Sequence, residues 1–234
     1  MCSGKCSRCI GTSLYPLVLI SIICNIVLFF PGGDVKYAKD GHITQEVRYM
    51  GGLIGGGFMV LIPAIYINLT AENGCCGIHY NFLISPLQMF LSILFAATGV
   101  AGGLYSFIVA GLGVNYGPLC KDGGIWMTPF KNSNSTYLTD SKLWGVCTEP
   151  KNVVQFNIGL FLTLMATSGL QVLLCAIQMI NGLFGCLFGA CKKEVKTEWP
   201  TWSSLNAFLT HCYHYVSCFI ISNVDCITRV HVAK

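Results

Sequence analysis

Four stretches of this chain carry no charged side chain: residues 10–30, 49–69, 85–112 and 157–183. That feature leaves few folds open. A helix that crosses a bilayer needs about 20 mostly apolar residues. Only helices and closed barrels satisfy their backbone hydrogen bonds in lipid. Four uncharged runs of this length predict four membrane-spanning helices. Charged residues make up only 10% of the 234 residues, and mean hydropathy is +0.62. Soluble domains carry about 25% charged residues. The net charge of +4 is small and scattered, and no basic run suits nucleic acid.

The first run is longer than the core of a signal peptide, about 7–15 residues. It ends in Phe29-Phe30-Pro31-Gly32-Gly33 and reads as a retained span. The second opens with Gly51-Gly52-Leu53-Ile54-Gly55-Gly56-Gly57, two overlapping G-x-x-x-G steps through Gly51, Gly52, Gly55 and Gly56. Small residues four apart let another backbone come close. A hinge or re-entrant turn is the competing reading, and the apolar continuation to Leu69 argues against it. The third run repeats the spacing at Gly99 and Gly103. Asn25, Gln171 and Gln178 are amides inside the runs, and bonding between helices is their simplest use.

The connections divide the rest. A head, 1–9, precedes the first span, and a short loop, 31–48, follows it. Residues 70–84 form a second short loop, 113–156 a long one, and 184–234 a tail. The long loop holds Cys120, Cys147, Trp126 and Trp144, which favours a small folded cap over disorder. Pairing the two cysteines would close a loop of about 28 residues, worth roughly 3–4 kcal/mol on the chain-entropy model. Two free thiols are the alternative. In the tail, apolar residues recur at helical spacing over 205–224, interrupted by polar ones, as in a helix lying on a membrane surface.

Charge does not fix the orientation. Lys5, Arg8, Lys192, Lys193 and Lys196 lie on one side, against Lys36, Lys39, Arg48, Lys121, Lys131, Lys142 and Lys151 on the other. Other features place the termini in the cytoplasm. Asn134-Ser135-Thr136 is a glycosylation acceptor, which functions on the outer side. A cysteine pair wants an oxidising space. Cys2, Cys6, Cys9, Cys75, Cys76, Cys186 and Cys191 all flank span ends on the other face, as S-acylation requires. Acylation ranks ahead of buried thiols, and zinc comes third because the head supplies only three of four ligands. A second acceptor, Asn68-Leu69-Thr70, falls on the inner side. No carboxylate or basic group enters a span, and no histidine accompanies Asp122, Asp140 and Glu149 in the long loop. Catalysis, a cofactor and a metal therefore find no support.

Met1-Cys2-Ser3-Gly4-Lys5-Cys6-Ser7-Arg8-Cys9-Ile10-Gly11 resembles the start of the L-six antigen family, the tetraspanin-like transmembrane-4 group. Further likenesses are Asn25 with Phe29 to Gly33, Gly51-Gly52 with Gly55-Gly56-Gly57, and Cys75-Cys76-Gly77. Gly117-Pro118-Leu119-Cys120, Leu143-Trp144, Cys147-Thr148-Glu149-Pro150 and Asn152-Val153-Val154 follow, then Leu174-Cys175-Ala176-Ile177-Gln178 with Asn181-Gly182. True tetraspanins carry Cys-Cys-Gly in the large outer loop, whereas Cys75-Cys76-Gly77 sits in the small inner one. The chain departs from the family at Phe156-Asn157-Ile158-Gly159, where members often hold a glycan acceptor, and in its long tail.

The resemblance implies an all-α membrane protein, a four-transmembrane-helix bundle with a disulfide-capped large second extracellular loop. It implies a plasma-membrane protein without enzymatic activity. Such members associate with integrins, growth-factor receptors and other four-span proteins, as homo- or hetero-oligomers, and influence adhesion, motility and proliferation. Some are tied to endosomal or lysosomal membranes and to amino-acid sensing. A small-molecule sensor or carrier, with a cavity lined by Asn25, Gln171 and Gln178, is the alternative function.

Substituting Asn134→Gln should abolish a glycosidase-sensitive mobility shift of the surface-expressed protein. An unchanged shift would count against both the site and the orientation.

Overall fold

A computed structural model describes residues 3–31, 34–73, 84–131, 136–138 and 141–189 of the chain. These belong mostly to the first of two compact units, Met1–Leu187; of the second, Phe188–Lys234, only Phe188 and Gly189 are described. Cys2, Cys75, Cys76, Cys191, Asn134 and the 205–224 segment lie outside the described residues.

Helix α1 spans Ser3–Leu28. Two short helices, α2 at Val35–Lys39 and α3 at Gln45–Arg48, lie between α1 and the glycine-rich stretch. A π-helix over Gly51–Met59 continues directly into α4 at Val60–Asn73. Helix α5 is Ile84–Tyr116, and α6 is Val153–Gly189. Between them come strands β1, Cys120–Asp122, and β2, Ile125–Met127, and two 3-10 turns, Thr136–Leu138 and Ser141–Val146. Four helical stretches are long and apolar enough to cross a membrane: Ser7–Leu28, Gln45–Thr70, Phe90–Tyr116 and Val153–Leu183. Leu19, Ile23 and Ile26 on α1, and Phe58, Ile62 and Leu69 on span 2, point outward, as lipid-facing side chains do. Pro16 and Pro63 sit inside α1 and α4, tolerated where neighbouring helices satisfy the freed carbonyls.

The second span is helical from the glycines onward, yet its first nine residues are π rather than α. Five of those nine are glycine, which tolerates the wider turn at least steric cost. The two G-x-x-x-G steps serve different neighbours. Gly51 and Gly55 face α5: a Cβ on Gly51 would stand 2.8 Å from Val109 Cβ, and one on Gly55 2.5 Å from the Gly102 carbonyl. The contact is reciprocal, since a Cβ on Gly102 would lie 2.7 Å from the Gly55 carbonyl. Gly52 faces α1, where the Ser21 carbonyl would be 2.8 Å away, and also α6 at Leu164. Span 2 is thus the element on which the others pack. Backbone-level contact is concentrated between it and α1 and between it and α5.

On α5, Gly103 turns to α6, and Gly99 lies between α6 and span 2. A Cβ on Gly99 would meet Cys175 Sγ of α6 at 2.7 Å and Pro63 at 2.9 Å, and one on Gly103 would meet Val172 at 2.8 Å. Helix α6 thus docks chiefly through side chains, Phe161 over Gly113 among them.

Gly55→Val would force a branched side chain onto the Gly102 backbone, where nothing can swing away. Overpacking costs typically 1–3 kcal/mol, and this site should fall at the upper end. Thermal unfolding of the nanodisc-embedded protein should show a clear drop in Tm. Gly111→Val, where a Cβ meets nothing within 4 Å, should leave it unchanged.

Candidate functional site: the buried polar seam and the outer cap

Two regions concentrate polar chemistry. The first lies between the spans. Ser21 of α1, Gly56 of the π-helix, Ser106 of α5 and Thr167, Ser168 and Gln171 of α6 meet there. Ser21, Ser168 and Gln171 are fully buried. Gln171 Nε2 donates to the Gly56 carbonyl at 2.8 Å and to Ser21 Oγ at 3.4 Å. Ser21 Oγ and Thr167 Oγ1 are 3.2 Å apart, and Ser168 Oγ donates to Ser106 Oγ at 2.7 Å. Two hydrogen-bonded sets thus lie side by side, one joining α6 to span 2 and α1 and the other joining α6 to α5. Gly56 leaves little spare room between them: a Cβ there would stand 3.1 Å from each of Gln171 Oε1, Ser106 Oγ and Ser21 Oγ.

The three amides singled out by sequence do not converge. Gln178 bonds α1 near its start, donating to Ser7 Oγ at 3.0 Å. Gln171 and Gln178 stand about two turns, roughly 10 Å, apart along α6. Asn25 is buried with its Cβ against Gly52, but its Oδ1 has no partner. Bonding between helices describes the Nε2 groups of Gln171 and Gln178; their Oε1 atoms, like Asn25 Oδ1, are buried with no partner among the described residues. Sequence reading passed over Ser21, Ser106, Thr167 and Ser168, because hydroxyls in an apolar run commonly bond their own helix. Thr167 does that too, donating to Thr163 and Leu164 carbonyls. Gly102 was likewise missed beside Gly103.

Residues outside this seam have plain placements. Cys9 is exposed on α1, and Cys6 and Cys186 lie in α1 and α6 with side chains outside the described set. Cys24 and Cys175 are buried free thiols within the spans. Asn68 is folded into the bundle, donating to the Ala64 carbonyl at 3.0 Å and accepting from Thr12 at 3.5 Å. Among the described residues, no group of three or more His, Cys, Asp or Glu side chains could hold a metal ion.

The second region is the cap between α5 and α6. Cys120 and Cys147 are disulfide-bonded, with Cα atoms 5.4 Å apart. Strand β1 pairs antiparallel with β2, Lys121 opposite Trp126. Its other edge takes the 148–149 segment: Lys121 N–H donates to the Glu149 carbonyl and Thr148 N–H to the Lys121 carbonyl, both at 3.0 Å. The Lys121–Glu149 ion pair at 3.4 Å is partly exposed and adds little. The Glu149-Pro150 peptide is cis. A small core forms from Cys120, Phe130, Tyr137, Val153 and Val154, with Leu143, Trp144, Cys147 and Ile158 around it. Phe130 and Tyr137 stack at 4.4 Å. Tyr137 Oη donates to the Val114 carbonyl of α5, and Trp144 Nε1 donates to the Tyr137 carbonyl at 2.8 Å. Burial pushes the Tyr137 phenol up to about 12, so it remains a donor at every physiological pH. The cap is therefore seated on both helices it joins. An open cavity of about 340 Å³ lies beside it, walled by Trp144, Cys147, Lys151, Asn152 and Gln155. The cap also reaches the first outer loop, where Trp126 stacks on His42.

A mostly helical chain, four candidate spans and a disulfide-closed loop between the third and fourth define a four-span membrane protein with a capped outer loop. The model of the L6 membrane protein family matches residues 1–192. The chain is 45% identical over 195 residues to human (Homo sapiens) Transmembrane 4 L6 family member 1, covering 82% of this chain and 96% of that protein. Rat (Rattus norvegicus) Transmembrane 4 L6 family member 4 is 43% identical over 194 residues, covering 82% and 95%. Human (Homo sapiens) Transmembrane 4 L6 family member 5 is 39% identical over 197 residues, covering 84% and 99%. The chain belongs to the L6 membrane protein family and is a multi-pass membrane protein. No solved structure matches it.

Gln171→Leu should destabilise the bundle more than Gln178→Leu, since Gln171 bonds two other spans and Gln178 one. Interhelical polar contacts in membranes are worth about 0.6 kcal/mol on average and about 1.7 at most. Denaturant titration in mixed micelles should rank the two variants in that order.

Proposed function

We propose that the chain is a non-enzymatic lateral organiser of membrane assemblies, positioned with its termini in the cytoplasm of the plasma membrane. One observation carries this reading: donors inside the bundle are directed at neighbouring helices, Gln171 Nε2 at Gly56 and Ser21, Ser168 Oγ at Ser106, Gln178 Nε2 at Ser7. Turnover needs a group held ready for a reactant. A sensor or carrier needs a chamber that Asn25, Gln171 and Gln178 share, and the two glutamines stand at different levels bonding different partners. The outward surface suits capture instead. Ile125 is 65% exposed at the tip of the cap, with Met127 and Leu138 also exposed. Partners of this kind are integrins, growth-factor receptors and other four-span proteins, and homo-oligomers fit equally.

In this reading Asn134 carries a glycan. Cys2, Cys6, Cys9, Cys75, Cys76, Cys186 and Cys191 carry acyl chains. Four spans already anchor the protein, so the acyl chains act laterally, drawing it toward ordered lipid and other acylated proteins. Cross-linking in intact cells followed by mass spectrometry should recover a reproducible set of membrane proteins. Replacing the seven cysteines with serine should leave insertion intact and deplete that set. Recovery of no membrane protein above background, from protein whose bundle is folded, would overturn the reading.

A further inference from the structure

The first outer loop and the cap meet at one aromatic contact. His42 follows α2, and its ring lies flat on Trp126 of β2, with centroids 3.9 Å apart and planes within 15°. Tyr37 of α2 meets the same indole edge-on at 5.9 Å. Trp126 is thereby held by two rings from the first loop, while its strand neighbours Ile125 and Met127 face outward. His42 Nδ1 is enclosed and has no hydrogen-bond partner among the described residues.

That arrangement suits a neutral ring. Neutral imidazole carries only one N–H, which can sit on Nε2. The enclosed Nδ1 is then an unused acceptor. Protonation makes both nitrogens donors and puts charge on a dry N–H. The charged groups on the surrounding elements are Lys36, Lys39 and Asp40 at α2, Glu46 and Arg48 on α3, and Lys121 and Asp122 on β1. Among the described residues none of these makes an ion pair with His42. Arg48 is turned to the Gly41 carbonyl at 2.9 Å, and Lys121 to Glu149. No carboxylate is bonded to the imidazolium, so its new donor gains a partner only by reaching water. Stacking of a cation on indole opposes that motion. An enclosed charged donor without a partner works against the stacked arrangement.

We propose that the His42–Trp126 stack is an acid-released clasp between the first outer loop and the cap. Neutral His42 holds the two loops together. Acidification of the compartment that the cap faces charges the ring, swings it off the indole and frees Trp126 together with its apolar strand. Imidazole is the side chain suited to this, because it changes charge in the range of about pH 5–8.

The test uses the full chain in nanodiscs, labelled with 5-fluorotryptophan, with the Trp126 resonance assigned by its loss in Trp126→Phe. Between about pH 8 and pH 5 that resonance should move in a single step toward the value of the denatured protein. In His42→Phe, which stacks without titrating, it should stay at the high-pH position. His42→Gln, which cannot stack, should hold it at the released position throughout and covers the case in which the Phe variant fails to fold. A resonance that stays fixed over the range overturns the proposal. So does a titration that persists in either variant. Movement away from the denatured value on acidification also overturns it, because cation stacking would then dominate.

Discussion

The close approach of span 2 to its neighbours is the contact on which the rest of the bundle depends. In lipid there is no hydrophobic reward for bringing two helices together, because the tails are as apolar as leucine. Association must come from packing and from hydrogen bonds, and both fall steeply with distance. Glycines remove the side chains that would hold the backbones apart. Gly55 and Gly102 face each other so closely that each backbone occupies the space of the other's missing Cβ. The same surface brings the Gly56 carbonyl within reach of Gln171, a bond a bulkier span would prevent. Glycine packing and polar bonding are therefore one device.

The π-helical start of span 2 belongs to that device. A wider turn is an unfavourable way to run a helix in isolation. Here it carries glycines on two faces at once, Gly51 and Gly55 toward α5, Gly52 and Gly56 toward α1 and α6. The tertiary contacts hold the irregular backbone, which in turn sets where the carbonyls point.

Much of this was legible in the sequence. Charge-free runs predict the four spans because lipid excludes charge regardless of tertiary context. The glycine steps announce close packing because no other residue permits it. The family resemblance rested on motifs in a consistent order, and the family model covers the same part of the chain. What was hidden depends on rotation about each helix axis. Gly99 and Gly103 were visible as a stripe, but not that Gly103 faces α6, Gly102 faces span 2 and Gly99 sits between the two. Ser21, Ser106, Thr167 and Ser168 look like ordinary small residues until four helices bring them together. Asn25 shows the converse: a polar residue in a span predicts a partner, and its oxygen has none. The hairpin in the cap was equally hidden, since β1 and β2 have three residues each and too little pattern to read.

The cap and the bundle are mechanically one object. Val153 and Val154 belong to α6 and also to the cap core, and Tyr137 fastens the cap to Val114 on α5. Helix α6 is 37 residues long and continuous, so its outer end cannot shift without shifting its middle. Its middle is held by hydrogen bonds from Gln171 and Ser168 and by Leu164 against Gly52, and its far half by a hydrogen bond from Gln178. Directional bonds of modest strength can exchange partners where interlocked backbones cannot. Of the four spans, α6 is the one that supplies residues, Val153 and Val154, to the cap core itself, so the cap core and the polar seam are built on one continuous helix.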